Sequence, residues 1–292
     1  MGSGSFSSRS YDLYAARATT MSRKEIFQQD RCHPSMSPRD VNIRESRDSD
    51  DHPISTPVII ALDVTGSMGM ISENLVKSGL GKLMNGILET KPVSDPQIMI
   101  MGIGDIACDS TPLQVSQFES DNRIVTELEK LYLEGGGGGN DVESYDLPWQ
   151  FAAAHTDCDS WNIRGERGYL FTIGDECFPR GWTQSQLKDR VMGSTAGEIS
   201  GAEKALSAAQ EKWKCFHLII EQGHYFQRSN PHGVLSSWRK VLGKRAILVD
   251  DYQNLPEIVV AIMRVDNGEN PEVIIKESSP SVARSIQHAL YE

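Results

Sequence analysis

The chain has 292 residues, 39% hydrophobic and 24% charged, which supplies enough apolar surface for a sizeable core and excludes a disordered or fibrous protein. No apolar run approaches the roughly 18–20 residues that span a bilayer, and the start MGSGSFSSRSYDLYAARATT lacks the apolar centre of a secretory signal, so a cytoplasmic protein with no membrane role is expected. The net charge is −11, and residues 57–292 hold 21 Lys and Arg against 32 Asp and Glu; such an acidic body disfavours nucleic acid and permits a divalent cation or a basic partner. The five cysteines (Cys32, Cys108, Cys158, Cys177 and Cys215) are scattered without a CxxC pair, which fits reduced thiols rather than a zinc or redox motif.

Residues 1–56 are rich in Ser, Arg and Asp, carry no sustained apolar period, and end in the turn-forming DHPISTP. They are expected to form an extended or disordered N-terminal arm, with a short helix over 23–30 at most. From Pro57 the texture changes. VIIALD (58–63) is a continuous apolar run of strand length, and QIMIMGIG (97–104), GYLFTIG (168–174), CFHLIIE (215–221) and RAILVD (245–250) repeat the pattern. Helical periods separate them at 74–88, 123–133, 145–154, 202–214, 234–242 and 255–264. Alternating strands and helices predict an α/β fold with a doubly wound, mostly parallel open sheet over 57–266, followed by a C-terminal tail at 267–292. Ligands of such sheets bind beyond the carboxyl ends of the strands.

The first strand ends in DVTGSM, where Asp63, Thr65 and Ser67 place oxygen donors at alternate positions and Gly66 lets the backbone turn. Oxygen donors alone favour Mg²⁺, Mn²⁺ or Ca²⁺ over zinc or copper, although Thr65 or Ser67 could equally serve as a helix cap. FTIGDE sets Asp175 at the end of another strand, and EGGGGGNDVES offers a glycine-rich loop before the helix near Tyr145. These three segments together resemble the von Willebrand factor A fold with its metal-ion-dependent adhesion site, in its intracellular bacterial form, over residues 57 to about 266.

That resemblance implies that Thr65 and Ser67 bind metal directly, that Asp63 acts mostly through water, and that Asp175 is an outer acid. The family normally has Thr after the glycines. Here Asn140 takes that place, with Asp141 as the second choice and Glu143 as an acceptor behind them. The implied function is a non-enzymatic adaptor or assembly factor, in which a partner's Asp or Glu completes the cation's coordination, and a MoxR-type ATPase system is a setting the resemblance implies. A structural scaffold with a merely stabilising metal is the alternative.

Other motifs compete less well. GIGDIA (102–107) imitates a dinucleotide fingerprint, but CDSTP follows where a helix should open, and the glycine run lacks the Gly-Lys-Ser or Gly-Lys-Thr of a phosphate-binding loop. A haloacid dehalogenase-like phosphohydrolase also needs an Asp after its first strand and a later Gly-Asp, as Asp63 and Gly174-Asp175 supply. Its general acid, however, would be a second Asp where this chain has Thr65, whose hydroxyl ionises far above neutral pH and cannot serve as that acid. Asp105, at a third strand end, reads either as a group that orients water near a metal or as a turn former, and His217 reads as a core histidine.

Overall fold

Apolar side chains along Val58–Leu62 alternate between two hydrophobic layers, because successive residues of a strand point to opposite faces. Val58, Ile60 and Leu62 face one core, and Ile59 and Ala61 face the other. The computed structural model describes residues 4–39, 41–134, 142–197, 199, 201–228 and 230–291, and only the backbone of Ser67 and Tyr291.

The strands are β1 (Arg44–Ser46), β2 (Thr56–Asp63), β3 (Pro96–Ile103), β4 (Leu113–Val115), β5 (Thr156–Cys158), β6 (Gly168–Gly174), β7 (Trp213–Ile220) and β8 (Ala246–Val249). Six of them form one sheet in the order β4-β3-β2-β6-β7-β8, parallel throughout except for the antiparallel edge strand β4. One face is covered by the helices starting at Gly69, Leu80 and Leu255, and the other by Asp146–Ala154, Ala202–Lys212 and Pro231–Leu242. This is the doubly wound α/β architecture read from the sequence. The chain first winds outward from β2 to β3 and later the other way through β6, β7 and β8, so the topological switch falls between β2 and β6. The crevice at their carboxyl ends is where such sheets hold ligands.

The N-terminal segment departs from expectation. Instead of an extended or disordered arm, Ser8–Ala18 is a helix capped by the Ser7 hydroxyl, and Tyr11, Ala15 and Ala18 bury one stripe of it in the main core. Alanines and tyrosines make a weak apolar signal, which hides this amphipathic face in the sequence. Tyr11 sits where Gly81 leaves room, since a Cβ there would lie 2.3 Å from the ring. Its hydroxyl lies 3.2 Å and 3.0 Å from the carbonyls of Leu75 and Val76, at a π-helical turn spanning Leu75–Gly79. Such turns leave carbonyls without their usual partners, and the phenol supplies one.

Further along, β1 pairs in parallel with β5 as a separate small sheet, and Arg47 bridges Asp157 and Asp159 (2.5 and 2.8 Å) beside it. The tail at 267–292 also folds, as helices Pro271–Glu277 and Pro280–Tyr291. The second covers the β8 edge, where Ser285 donates to the Leu248 carbonyl at 2.7 Å, and so shields an edge that would otherwise invite pairing with another chain. Among the described residues no helix is long and apolar enough to cross a membrane, and all five cysteines are free.

Candidate functional site

Asp63 is the last residue of β2, and it is almost fully enclosed at 1% exposure. Its Oδ1 accepts from the Thr65 backbone N–H (2.9 Å) and the Thr65 hydroxyl (2.7 Å), so the chain curls immediately after the strand. Its Oδ2 accepts from the Tyr145 hydroxyl at 3.0 Å. Tyr145 was not singled out in the sequence beyond marking a helix start, yet it links the glycine-loop side of the site to the first motif. Gly174 makes this reach feasible, because a Cβ there would lie 2.0 Å from the phenol oxygen. A glycine immediately before Asp175 was the available signal.

Asp175 follows β6 by one residue, and its Oδ2 accepts from the backbone N–H groups of Tyr225 (2.7 Å) and Phe226 (3.4 Å). Asp175 is close enough for its charge to oppose that of Asp63. Burial, and then the neighbouring Asp175, push Asp63 up to about 7 from its ordinary 3.8. Burial also raises Asp175, against the lowering effect of those backbone amides. Glu143 is buried with its Oε2 unpartnered, and burial followed by repulsion from Asp63, Glu176, Asp109 and Asp105 pushes it up to about 11. No ion pair among the described residues relieves Asp63, Glu143 or Asp175.

The Ser67 backbone lies in the short 3₁₀ turn Gly66–Met68 beside Thr65. Asn140 and Asp141 lie outside the described residues, as does the glycine run at 135–139. The two ends of that run are nonetheless anchored to one loop. Glu134 accepts from the N–H groups of Ser110 (3.0 Å) and Thr111 (3.4 Å), while the Ser144 backbone N–H donates to the Gly104 carbonyl at 3.2 Å and its hydroxyl accepts from Ile106 N–H at 2.9 Å. Asp105 organises this loop by accepting from Ala107 N–H (2.9 Å) and the Cys108 thiol (2.7 Å). Its contacts are those of a turn former that also faces Ser144, 3.4 Å away.

No protein-family model matches this sequence, and no match is found among curated proteins. Among solved structures, the chain is similar to the pilus adhesin SpaC of Lactobacillus rhamnosus GG in its open conformation, with 10% identity, 80% of this chain and 31% of that one covered, and a TM-score of 0.44. It is also similar to a von Willebrand factor type A protein from Catenulispora acidiphila, with 11% identity, 74% and 43% covered, and a TM-score of 0.40. An aerotolerance-related membrane protein from Bacteroides fragilis, carrying multiple mutations to serine, gives 15% identity, 72% and 99% covered, and a TM-score of 0.37. The chain thus spans less than half the length of the first two.

Whether the residues present suit a cation is a question of donor chemistry. The Thr65 hydroxyl commits its proton to Asp63, which leaves its oxygen lone pairs available to a metal. Asp63 and Glu143, buried without an ion-pair partner among the described residues and the second carrying an orphaned oxygen, are the environment that a divalent ion would relieve; His224 already eases Asp175 in part. Among the described residues no three His, Cys, Asp or Glu side chains are grouped to hold an ion by themselves, so hydroxyls and the glycine loop would have to contribute. The residues fit a hard cation on those terms.

His217 is a buried core residue. Its ring stacks on Trp238 with centroids 3.4 Å apart, its Nδ1 lies 2.9 Å from the Thr172 hydroxyl, and burial pushes its pKa well down, so it is neutral. Trp238, its stacking partner, is fully buried as well.

Proposed function

We propose that this chain is a non-enzymatic, metal-dependent protein-binding module of the von Willebrand factor A kind. In this reading Thr65, Ser67 and one glycine-loop residue, Asn140 ahead of Asp141, hold a divalent cation, with Mg²⁺ preferred over Mn²⁺ or Ca²⁺. Asp63 and Asp175 act through water. The observation that supports it most is the meeting of Asp63, Thr65 and Glu143 at the β2/β6 switch point, where burial and mutual repulsion raise both acids and no ion pair among the described residues neutralises either. When bound, the ion supplies an electrophilic position for an incoming carboxylate. Asp63 orients the Thr65 hydroxyl, Tyr145 fixes Asp63, and the backbone amides of Tyr225 and Phe226 hold Asp175 in place. The partner is a protein offering an Asp or Glu, within a cytoplasmic assembly such as a MoxR-type ATPase system.

Calorimetric titration with Mg²⁺ tests the ligand set. Ser67→Ala and Asn140→Ala should each weaken binding by roughly 10–100-fold with little loss of fold, and partner capture should stop in EDTA. Capture that persists in both EDTA and Ser67→Ala would refute the metal-completed contact. Unchanged metal affinity in Asn140→Ala, with loss in Asp141→Ala, would transfer the ligand role to Asp141 and make the ion less electrophilic.

The same reading expects no phosphatase activity, because Thr65 replaces the general acid. Turnover of p-nitrophenyl phosphate that vanishes in Asp63→Asn would overturn it.

A further inference from the structure

A cleft of ≈ 450 Å³ opens at the amino-terminal ends of β2 and β6, lined by Lys91, Ser94, Ser160, Arg167, Tyr169 and Lys214 among others. Strand β2 is eight residues long, so this cleft lies about 23 Å from the Asp63 end of the sheet. Its charge runs against that of a chain carrying −11 overall. Lys214 is held by Asp266 at 2.5 Å and lies 3.1 Å from the Tyr169 hydroxyl. Glu166, also on the lining, is paired with Arg164 at 3.1 Å. Lys91 and Arg167 form no ion pair among the described residues; the guanidinium of Arg167 makes only a long 3.5 Å contact with the Gln210 carbonyl.

The backbone adds to this. Lys91 ends the helix Leu80–Thr90 in the left-handed region, with φ 50° and ψ 47°. Helices commonly end there with glycine, which incurs no Cβ penalty. A lysine at that position instead places a long cationic side chain on the cleft. Asp95, the other described non-glycine residue with positive φ (37°), closes the same loop by accepting from Ile54 N–H at 3.0 Å. Strain of this kind collects where a loop is held for a ligand.

We propose that this cleft binds a phosphate monoester, with Arg167 and Lys91 neutralising the phosphate. The apolar body of the ligand lies against Ile54, Pro92 and Val93 on the same lining. Two unpaired cations suit the double charge of a phosphate better than the single charge of a carboxylate, and a guanidinium matches its geometry. The proposal is independent of the metal site.

The test is calorimetric titration of the full chain in EDTA, which keeps the metal site from contributing, with phenyl phosphate, inorganic phosphate and a phosphoserine peptide as probes. Phenyl phosphate should bind one per chain. Arg167→Gln and Lys91→Gly should each weaken it roughly tenfold while leaving the melting temperature unlowered, since Arg167 is exposed and glycine relaxes the left-handed position. Stronger binding of the peptide would identify a phosphoprotein as the source of the phosphate, and stronger binding of phenyl phosphate a free metabolite. No binding at millimolar phenyl phosphate, or affinity unchanged in both Arg167→Gln and Lys91→Gly, would overturn the assignment.

Discussion

Trp238→Ala should cost about 3–5 kcal/mol of stability, the largest effect expected of a single substitution here. The indole is fully buried on the helix Pro231–Leu242 and stacks on His217 at an interplanar angle of 8°. Edge contacts reach Tyr145 (5.5 Å between centroids), Trp149 (6.0 Å) and Phe178 (5.3 Å). Its Nε1 donates to the Glu176 carbonyl at 2.8 Å, one residue beyond Asp175. Truncation therefore empties a large volume and frees a half-buried carbonyl. It also removes support from Tyr145, which holds Asp63, so Mg²⁺ affinity should fall along with stability. Urea unfolding measures the first effect, and a midpoint shift equivalent to less than about 1 kcal/mol would show that the aromatic cluster repacks around the gap. Trp238→Phe keeps most of the stacking and should fall well short of the alanine cost, with its deficit concentrated in the lost hydrogen bond.

What the sequence made legible follows from which forces leave a local trace. Buried parallel strands appear as continuous apolar runs, so β2, β3, β6, β7 and β8 were readable, as were the longer helices that cover them, though not the helical turns Gln184–Gln186, Leu187–Met192 and His224–Arg228. The approach of Asp63 to Thr65 was readable for a similar reason, because alternate residues at a strand end share a side. Pairing between distant segments leaves no such trace. Arg44 opposes Thr156 across more than a hundred residues, and β4 is three residues long with the polar Gln114 at its centre. The helix Ser8–Ala18 escaped notice because its buried stripe is made of Tyr and Ala, and its seat depends on the missing side chain of Gly81. Tyr145 escaped for a parallel reason: its role depends on a gap at Gly174, twenty-nine positions away. Gaps are visible only when the surrounding side chains are in place.

Without metal, raising the pH from about 5 to 8 should lower the melting temperature, and Mg²⁺ should restore much of the loss. Asp63 is raised to about 7 and Glu143 to about 11, each chiefly by burial. An acid whose folded pKa exceeds its unfolded value holds its proton more tightly when folded. Its contribution to stability is therefore fully present below the unfolded pKa and is lost as pH rises through the folded one. For Asp63 that window runs from its ordinary 3.8 to about 7, and for Glu143 the loss continues from 4.5 through pH 8 and beyond. Ionising one such carboxylate in place costs roughly 2–4 kcal/mol, enough to shift the melting temperature of a chain this size by several degrees. A bound cation reverses the sign locally, since it favours the ionised forms and stabilises the folded state by mass action. Asp146 supplies an internal control. It is also buried and raised to about 7, with both oxygens unpartnered, but it belongs to neither the first motif nor the glycine loop. In EDTA, Glu143→Gln should flatten the decline above pH 7, and Asp146→Asn should flatten it below that pH without altering the rescue by Mg²⁺. Melts in EDTA that stay level or climb between pH 5 and 8 would mean that these carboxylates meet water or a cationic side chain in solution, and the electrostatic case for a cation at the β2/β6 crevice would fail with them.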